Sequence, residues 1–321
     1  MIYVVYIILA AAVVFASNLA AKYVDILDKQ TSLSGAFIGG VMLSAVTSLP
    51  ELFTSLSSTL MLHKPGLCLG NIMGSDMFNS FLLGVLILLF FKSFRNSEIS
   101  SSHSITGLMV ALSFIAVFLN CYGPVSFSVI TISITSFLLL IFYIISLRKM
   151  SGENGEDSDD REAQTIETVP SALSLRQLII RLVVTSVCIV VISILLTYAT
   201  DSIAHNLHLE QGFAGALLLG VATSLPELSS TFTLFRIKNH DIAVGNIVGS
   251  NIFNFVILTI TDILYLGGGL YDFSESSTRM LVIAGLVQSV FMLVLLRYKN
   301  MATQIICPVA MISAYFIFLA H

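Results

Sequence analysis

Two glutamates stand out in a chain otherwise poor in charge. Each ends a Thr-Ser-Leu-Pro-Glu sequence: Thr47, Ser48, Leu49, Pro50 and Glu51 in the first half, and Thr223, Ser224, Leu225, Pro226 and Glu227 in the second. Both sequences interrupt long apolar runs. Pro50 cannot donate to the carbonyl of Val46, nor Pro226 to that of Ala222, so each run carries a freed oxygen and a distorted turn. Unpaired backbone at membrane depth is tolerated only where it is buried in protein or lines a polar cavity. Freed carbonyls beside a carboxylate make a set of hard oxygen donors that suits Ca²⁺ or Na⁺. Glu51 and Glu227 each follow their threonine by four residues, so each pair shares a helix face. A lone carboxylate in hydrocarbon costs about 2.5 kcal/mol or more. Two that converge repel each other unless a cation lies between them or one is protonated.

A second motif follows each of these at nearly the same offset, GNIMGSDMFN over residues 70–79 and GNIVGSNIFN over residues 245–254. Asn71, Ser75 and Asn79 fall at helical spacing on one stripe, and Asn246, Ser250 and Asn254 repeat it. Gly70 and Gly74, like Gly245 and Gly249, permit close helix approach. Packing explains the glycines but not the asparagines, because buried amides need partners.

These residues sit in a chain of 321 residues that is 56% hydrophobic and 11% charged, with a mean hydropathy of +0.94. A soluble domain carries about 25% charged residues, so the composition describes a polytopic membrane protein. The net charge of −4 excludes a basic nucleic-acid surface. The four cysteines are scattered singly, which suits packing rather than disulfides or zinc. Apolar runs predict ten helical spans, at 2–21, 35–61, 67–91, 105–119 and 125–147, then 177–200, 211–235, 242–266, 280–296 and 302–320. The N-terminal run lacks a basic leader and is long enough to be the first span. Between the two sets, residues 148–176 form an acidic, hydrophilic linker.

Alternate loops receive lysine and arginine thirteen to two, only Lys64 and Arg279 falling on the poorer side. That bias puts the linker in the cytoplasm and both termini outside the cell membrane. The expectation is therefore an all-α membrane protein with repeats at 1–147 and 177–321. An odd number of spans per repeat inverts the second against the first, and such repeats place substrates where broken helices meet at the midplane.

The two TSLPE and two GNxxGSxxFN sequences resemble the calcium/cation antiporters, particularly compact prokaryotic sodium/calcium exchangers. The resemblance implies ligands Thr47, Ser48, Glu51, Ser75 and Asn79 from the first repeat and Thr223, Ser224, Glu227, Ser250 and Asn254 from the second. It also implies eight core helices with two long tilted helices sliding past them, Ca²⁺ and Na⁺ as transported ions, and no cofactor. A monomer is the working expectation. Some exchangers of this kind carry Asp where this chain has Asn254. Proton-coupled relatives typically carry Glu shortly after the GN pair, where this chain has Gly74 and Ser75. Many members read GSN where this chain reads GSD. Asp76 lies about 100° around the helix from Ser75, so it is expected to face away from the central stripe, either behind the ligands or on the access path, or else as half of a structural pair. Asp262 is expected to be a hydrogen-bond partner within the bundle. His205 and His208 at a helix end lack a third ligand for a metal.

Proton-coupled Ca²⁺ antiport at the same site is the alternative to sodium coupling. A passive cation channel fits a single central site between inverted repeats less well. An intramembrane enzyme fits least: Asp76 and Asp262 lack a GxGD context, and neither Ser48 nor Ser224 has a histidine nearby in sequence.

Overall fold

Apolar runs this long, with few internal breakers, satisfy their backbone most simply as helix. The structure, a computed structural model, describes residues 1–31, 46–122, 128–129, 132–153 and 174–320. The first half contains α1 (Ile2–Thr31), α2 (Leu49–Leu56, continued by a π-helical turn Ser57–Met61), α3 (Pro65–Leu89), the short α4 (Phe91–Arg95), α5 (Ser101–Tyr122) and α6 (Ile134–Glu153). The second half contains α7 (Leu175–Leu207), α8 (Gln211–Thr223), α9 (Leu225–Arg236), α10 (His240–Leu264), α11 (Ser276–Arg297) and α12 (Thr303–Leu319).

Among the described residues, six helices are long and apolar enough to cross a membrane, or seven if the bent pair α8–α9 is one span. The expected first span runs ten residues further, to Thr31. Residues 35–45 of the second expected span, and residues 154–173 of the linker, lie outside the described residues. The fifth expected span, 125–147, needs correction. Among the described residues, two short antiparallel strands, β1 (Ser128–Val129) and β2 (Ile132–Ser133), lie near its start and helix runs from Ile134, while 125–127 and 130–131 lie outside the described residues. The segment is apolar enough to pass as membrane helix, but its run of β-branched residues at 129–132 favours strand.

α3 and α10 form the centre: over their apolar windows 78% and 72% of residues are buried, against 22% for α1 and 28% for α7. α1 and α7 pack on each other at the margin. Their shared apolar seam includes Ala16, Ala20, Val24, Leu182 and Ile189. Three polar contacts fasten this pair to the rest: Tyr6 Oη to the carbonyl of Leu218 at 2.7 Å, Ser57 Oγ to Thr197 Oγ1 at 2.8 Å, and an ion pair between Lys64 and Asp201.

The glycines of the second motif act in the first half as expected. A β-carbon on Gly70 would lie 2.3 Å from the carbonyl oxygen of Gly212, and one on Gly215 would lie 2.4 Å from that of Leu67. α3 and α8 therefore touch backbone to backbone. Asp262 accepts from Ser133 N at 2.8 Å and Ser136 Oγ at 2.7 Å, tying α10 to the start of α6. His208 ends α7 in the left-handed conformation, φ 53°. The four cysteines are free, with Cys68 and Cys307 buried.

Candidate cation-binding site

The two TSLPE sequences break their helices at the same residue. Ser48 has φ −90° and ψ 8°, and Ser224 has φ −89° and ψ 1°. Both lie in the sparsely used bridge region between helix and strand, with Pro50 and Pro226 opening the helix that follows. At Ser224 the axis turns by 49° between α8 and α9. Each break delivers its glutamate in the first turn of the new helix, where the helix dipole favours negative charge.

Glu51 and Glu227 are 2% and 4% exposed. Glu51 lies within electrostatic range of Glu227 and Asp76, and the hydroxyl of Thr223 donates to the carbonyl of Leu219 at 3.0 Å. One oxygen of each glutamate, Oε2, is buried without a hydrogen-bond partner. Two carboxyl groups stripped of water and only partly paired are strongly destabilising unless something compensates them, and a cation does so most directly.

The second motif completes the arrangement from α3 and α10. Ser75 Oγ lies 2.7 Å from Ser224 Oγ, joining α3 to the break itself. Asn254 Nδ2 donates to Ser75 Oγ at 3.0 Å and to Asp76 Oδ1 at 2.7 Å. Asn79 Nδ2 donates to Asn251 Oδ1 at 3.0 Å, while Asn79 Oδ1 is buried without a partner. Ser48, Thr223, Ser224 and Ser250 are buried as well, and Thr47 is half-buried. The structure thus brings Glu51 within electrostatic range of Glu227, and joins Ser75, Ser224 and Asn254 in one hydrogen-bonded chain.

Two residues stand beside the expected ligands rather than among them. Asp76 lies behind Asn254, one of the places expected for it; it is 1% exposed and bonded to that residue. α3 is enclosed by neighbours, so the face turned from one partner meets another, and here it meets α10. Asn71 lies on the expected stripe but works as a brace: its Nδ2 donates to the carbonyl of Glu51 at 3.2 Å, Thr54 Oγ1 at 2.8 Å and Ser55 Oγ at 2.9 Å. Asn246 holds Ser230 and Thr231 in the same way at 3.1 and 2.9 Å. Asn251 is the residue that spacing alone missed; its place after Ser250, matching Asp76 after Ser75, was the available signal.

The family described as "Sodium/calcium exchanger protein" matches residues 1–149 and 177–321. The chain belongs to the sodium/calcium exchanger family. Members of that family are transporters rather than enzymes. Among curated relatives, the chain is 26% identical over 246 residues to inner membrane protein YrbG of Escherichia coli, covering 77% of this chain and 74% of that protein. It is 27% identical over 221 residues to the uncharacterized membrane protein MJ0091 of Methanocaldococcus jannaschii, covering 69% and 68%. Among solved structures, the sodium–calcium exchanger NCX_Mj shares the fold with a TM-score of 0.63 at 22% identity, covering 100% of this chain and 98% of that one. The H⁺/Ca²⁺ exchanger CAX shares it with a TM-score of 0.68 at 13% identity, covering 99% and 87%. The exchanger fold therefore runs through essentially the whole chain.

Proposed function

We propose that this exchanger-family protein is a secondary antiporter that moves Ca²⁺ against Na⁺ by alternating access. The observation that carries the reading is the pair of buried glutamates, Glu51 and Glu227, brought together by two helix breaks with one oxygen of each left unpartnered. Ca²⁺ sits between them, completed by backbone oxygens near Thr47 and Thr223. Na⁺ ions compete for overlapping oxygens of Ser48, Ser75, Asn79, Ser224, Ser250 and Asn254. Sharing ligands makes occupancy mutually exclusive, and exclusive occupancy couples the two fluxes.

In this reading the chain is two inverted repeats of five spans, residues 1–147 and 177–321, joined by a cytoplasmic linker at 148–176. It lies in the cell membrane with both termini outside. The matching breaks at Ser48 and Ser224 and the matching braces at Asn71 and Asn246 support a two-repeat organisation. The solved relative NCX_Mj is a sodium–calcium exchanger whose structures address extracellular ion exchange and binding-site occlusion, which agrees with such a cycle.

The test is uptake of radioactive Ca²⁺ into proteoliposomes loaded with Na⁺ and diluted into Na⁺-free medium, with a protonophore present. Uptake should require internal Na⁺ and disappear in Glu51→Gln and in Glu227→Gln. Uptake indifferent to Na⁺ that follows an imposed pH gradient, once the protonophore is omitted, would establish the proton-coupled alternative instead. No Ca²⁺ flux under either gradient would overturn the substrate assignment.

A further inference from the structure

The residue after the serine of the second motif differs between halves, Asp76 in one and Asn251 in the other. In the fold each reaches across to the last asparagine of the opposite half. Asp76 Oδ1 accepts from Asn254 Nδ2 at 2.7 Å, and Asn251 Oδ1 accepts from Asn79 Nδ2 at 3.0 Å. All four side chains are buried. The two clasps are chemically unequal. Between two amides either end can face either partner, so the Asn79–Asn251 clasp is oriented only by the longer bonds that Asn251 Nδ2 donates to the backbone carbonyl of Asp76 and to Ser80 Oγ, both 3.4 Å. As a carboxylate, Asp76 meets Asn254 only as an acceptor, through Oδ1, while its other oxygen, Oδ2, is buried without a hydrogen-bond partner. Turning Asn254 over would set its own carbonyl oxygen against Oδ1, two acceptors with no hydrogen between them. The amide nitrogen of Asn254 also donates to Ser75 Oγ at 3.0 Å. With both amide hydrogens engaged, the carbonyl oxygen is the part of the side chain left for a further partner.

We propose that Asp76 is a positioning residue that locks Asn254 with its carbonyl oxygen presented to the transported cation. The inference rests on the reading of Asn254 as an ion ligand. It gives the GSD sequence a purpose: a carboxylate fixes the final amide of one half through a 2.7 Å bond, whereas in the other half the amide pair is oriented only through bonds of 3.4 Å.

Ca²⁺ binding to purified, detergent-solubilised protein, measured by titration calorimetry, tests this through a mutant cycle of wild type, Asp76→Ala, Asn254→Ala and the double variant. Asp76→Ala should weaken binding about 10–100-fold, the usual effect of removing a group that orients a ligand. Because Asp76 acts through Asn254, the double variant should bind within about twofold of Asn254→Ala alone. Multiplying effects would mean that Asp76 touches the cation itself or merely supports the fold, and would overturn the proposal. Asp76→Asn is the second series, since Asn251 shows that an amide fits the equivalent position. It should lose less affinity than Asp76→Ala and show the same non-additivity with Asn254→Ala. Affinity unchanged in Asp76→Asn would overturn the lock. Wild-type protein that neither binds nor transports Ca²⁺ would remove the ligand reading of Asn254 instead, a distinct failure.

Discussion

Asn71 serves the site without facing the ion. Its amide nitrogen ties the carbonyl of Glu51 and the hydroxyls of Thr54 and Ser55 to α3. A proline-broken helix has lost part of its own hydrogen-bond ladder, and a neighbouring amide restores part of the tether. Asn71→Ala should therefore lower stability by about 1–3 kcal/mol, the cost of leaving buried polar groups unsatisfied. Asn246→Ala should cost less, because Asn246 is only half-buried and water can replace it. Thermal unfolding of both variants in detergent checks the order; equal losses would sink the argument. At this scale the sequence was legible where chemistry repeats: Glu51, Glu227 and the serines of both motifs lie buried about the two breaks. It was less legible for Asp76, Asn71 and Asn251. Helical spacing tells which residues share a face, but not which neighbour each face of an enclosed helix will meet.

Between elements, the closest approach is that of α3 and α8, where two backbones meet across Gly70, Gly212 and Gly215. Gly215→Ala would place a methyl 2.4 Å from the Leu67 carbonyl and 2.9 Å from Gly70 Cα, neither of which can rotate aside. The helices must separate, and Ser75 loses its reach to Ser224. We expect Gly215→Ala to destabilise by about 1–3 kcal/mol or more, the range for overpacking a tight interface, and to lower ion affinity as well. Gly107→Ala is the contrasting case: its methyl would meet only Leu296 Cδ1, at 3.1 Å, which can turn away. Alanine also favours helix over glycine by about 1 kcal/mol, so Gly107→Ala should be near neutral in the same unfolding measurement. The elements were legible from apolar run length wherever breakers were clear, as at 211–236, where Pro226 foretold the bend. Run length failed at 125–147. Hydropathy counts apolar residues without asking whether they are β-branched, and the chain pairs Ser128 and Val129 with Ser133 and Ile132 as strands before the helix at Ile134.

Across the whole molecule, the asymmetry of lysine and arginine carries the proposed orientation. Trypsin should cut at Arg161 in inside-out membrane vesicles and leave right-side-out vesicles intact, as fragment sizes on a gel will show; the reverse pattern would invert the topology. The proposed binding residues come from both halves in alternation, so on that reading neither half holds a site alone. That interleaving bears on history as well as mechanism. Two clasps join the halves, Asp76 with Asn254 and Asn251 with Asn79. In an ancestor whose halves were separate copies of one gene product, a single codon would have specified both positions, and an aspartate in one clasp would have meant an aspartate in the other. Fusion into one chain separates the two codons. Asp76 in one clasp and Asn251 in the other is a difference that a symmetric pair could not have carried, so under the proposed two-repeat organisation the change at one of these two positions, whichever it was, came after the halves became free to diverge.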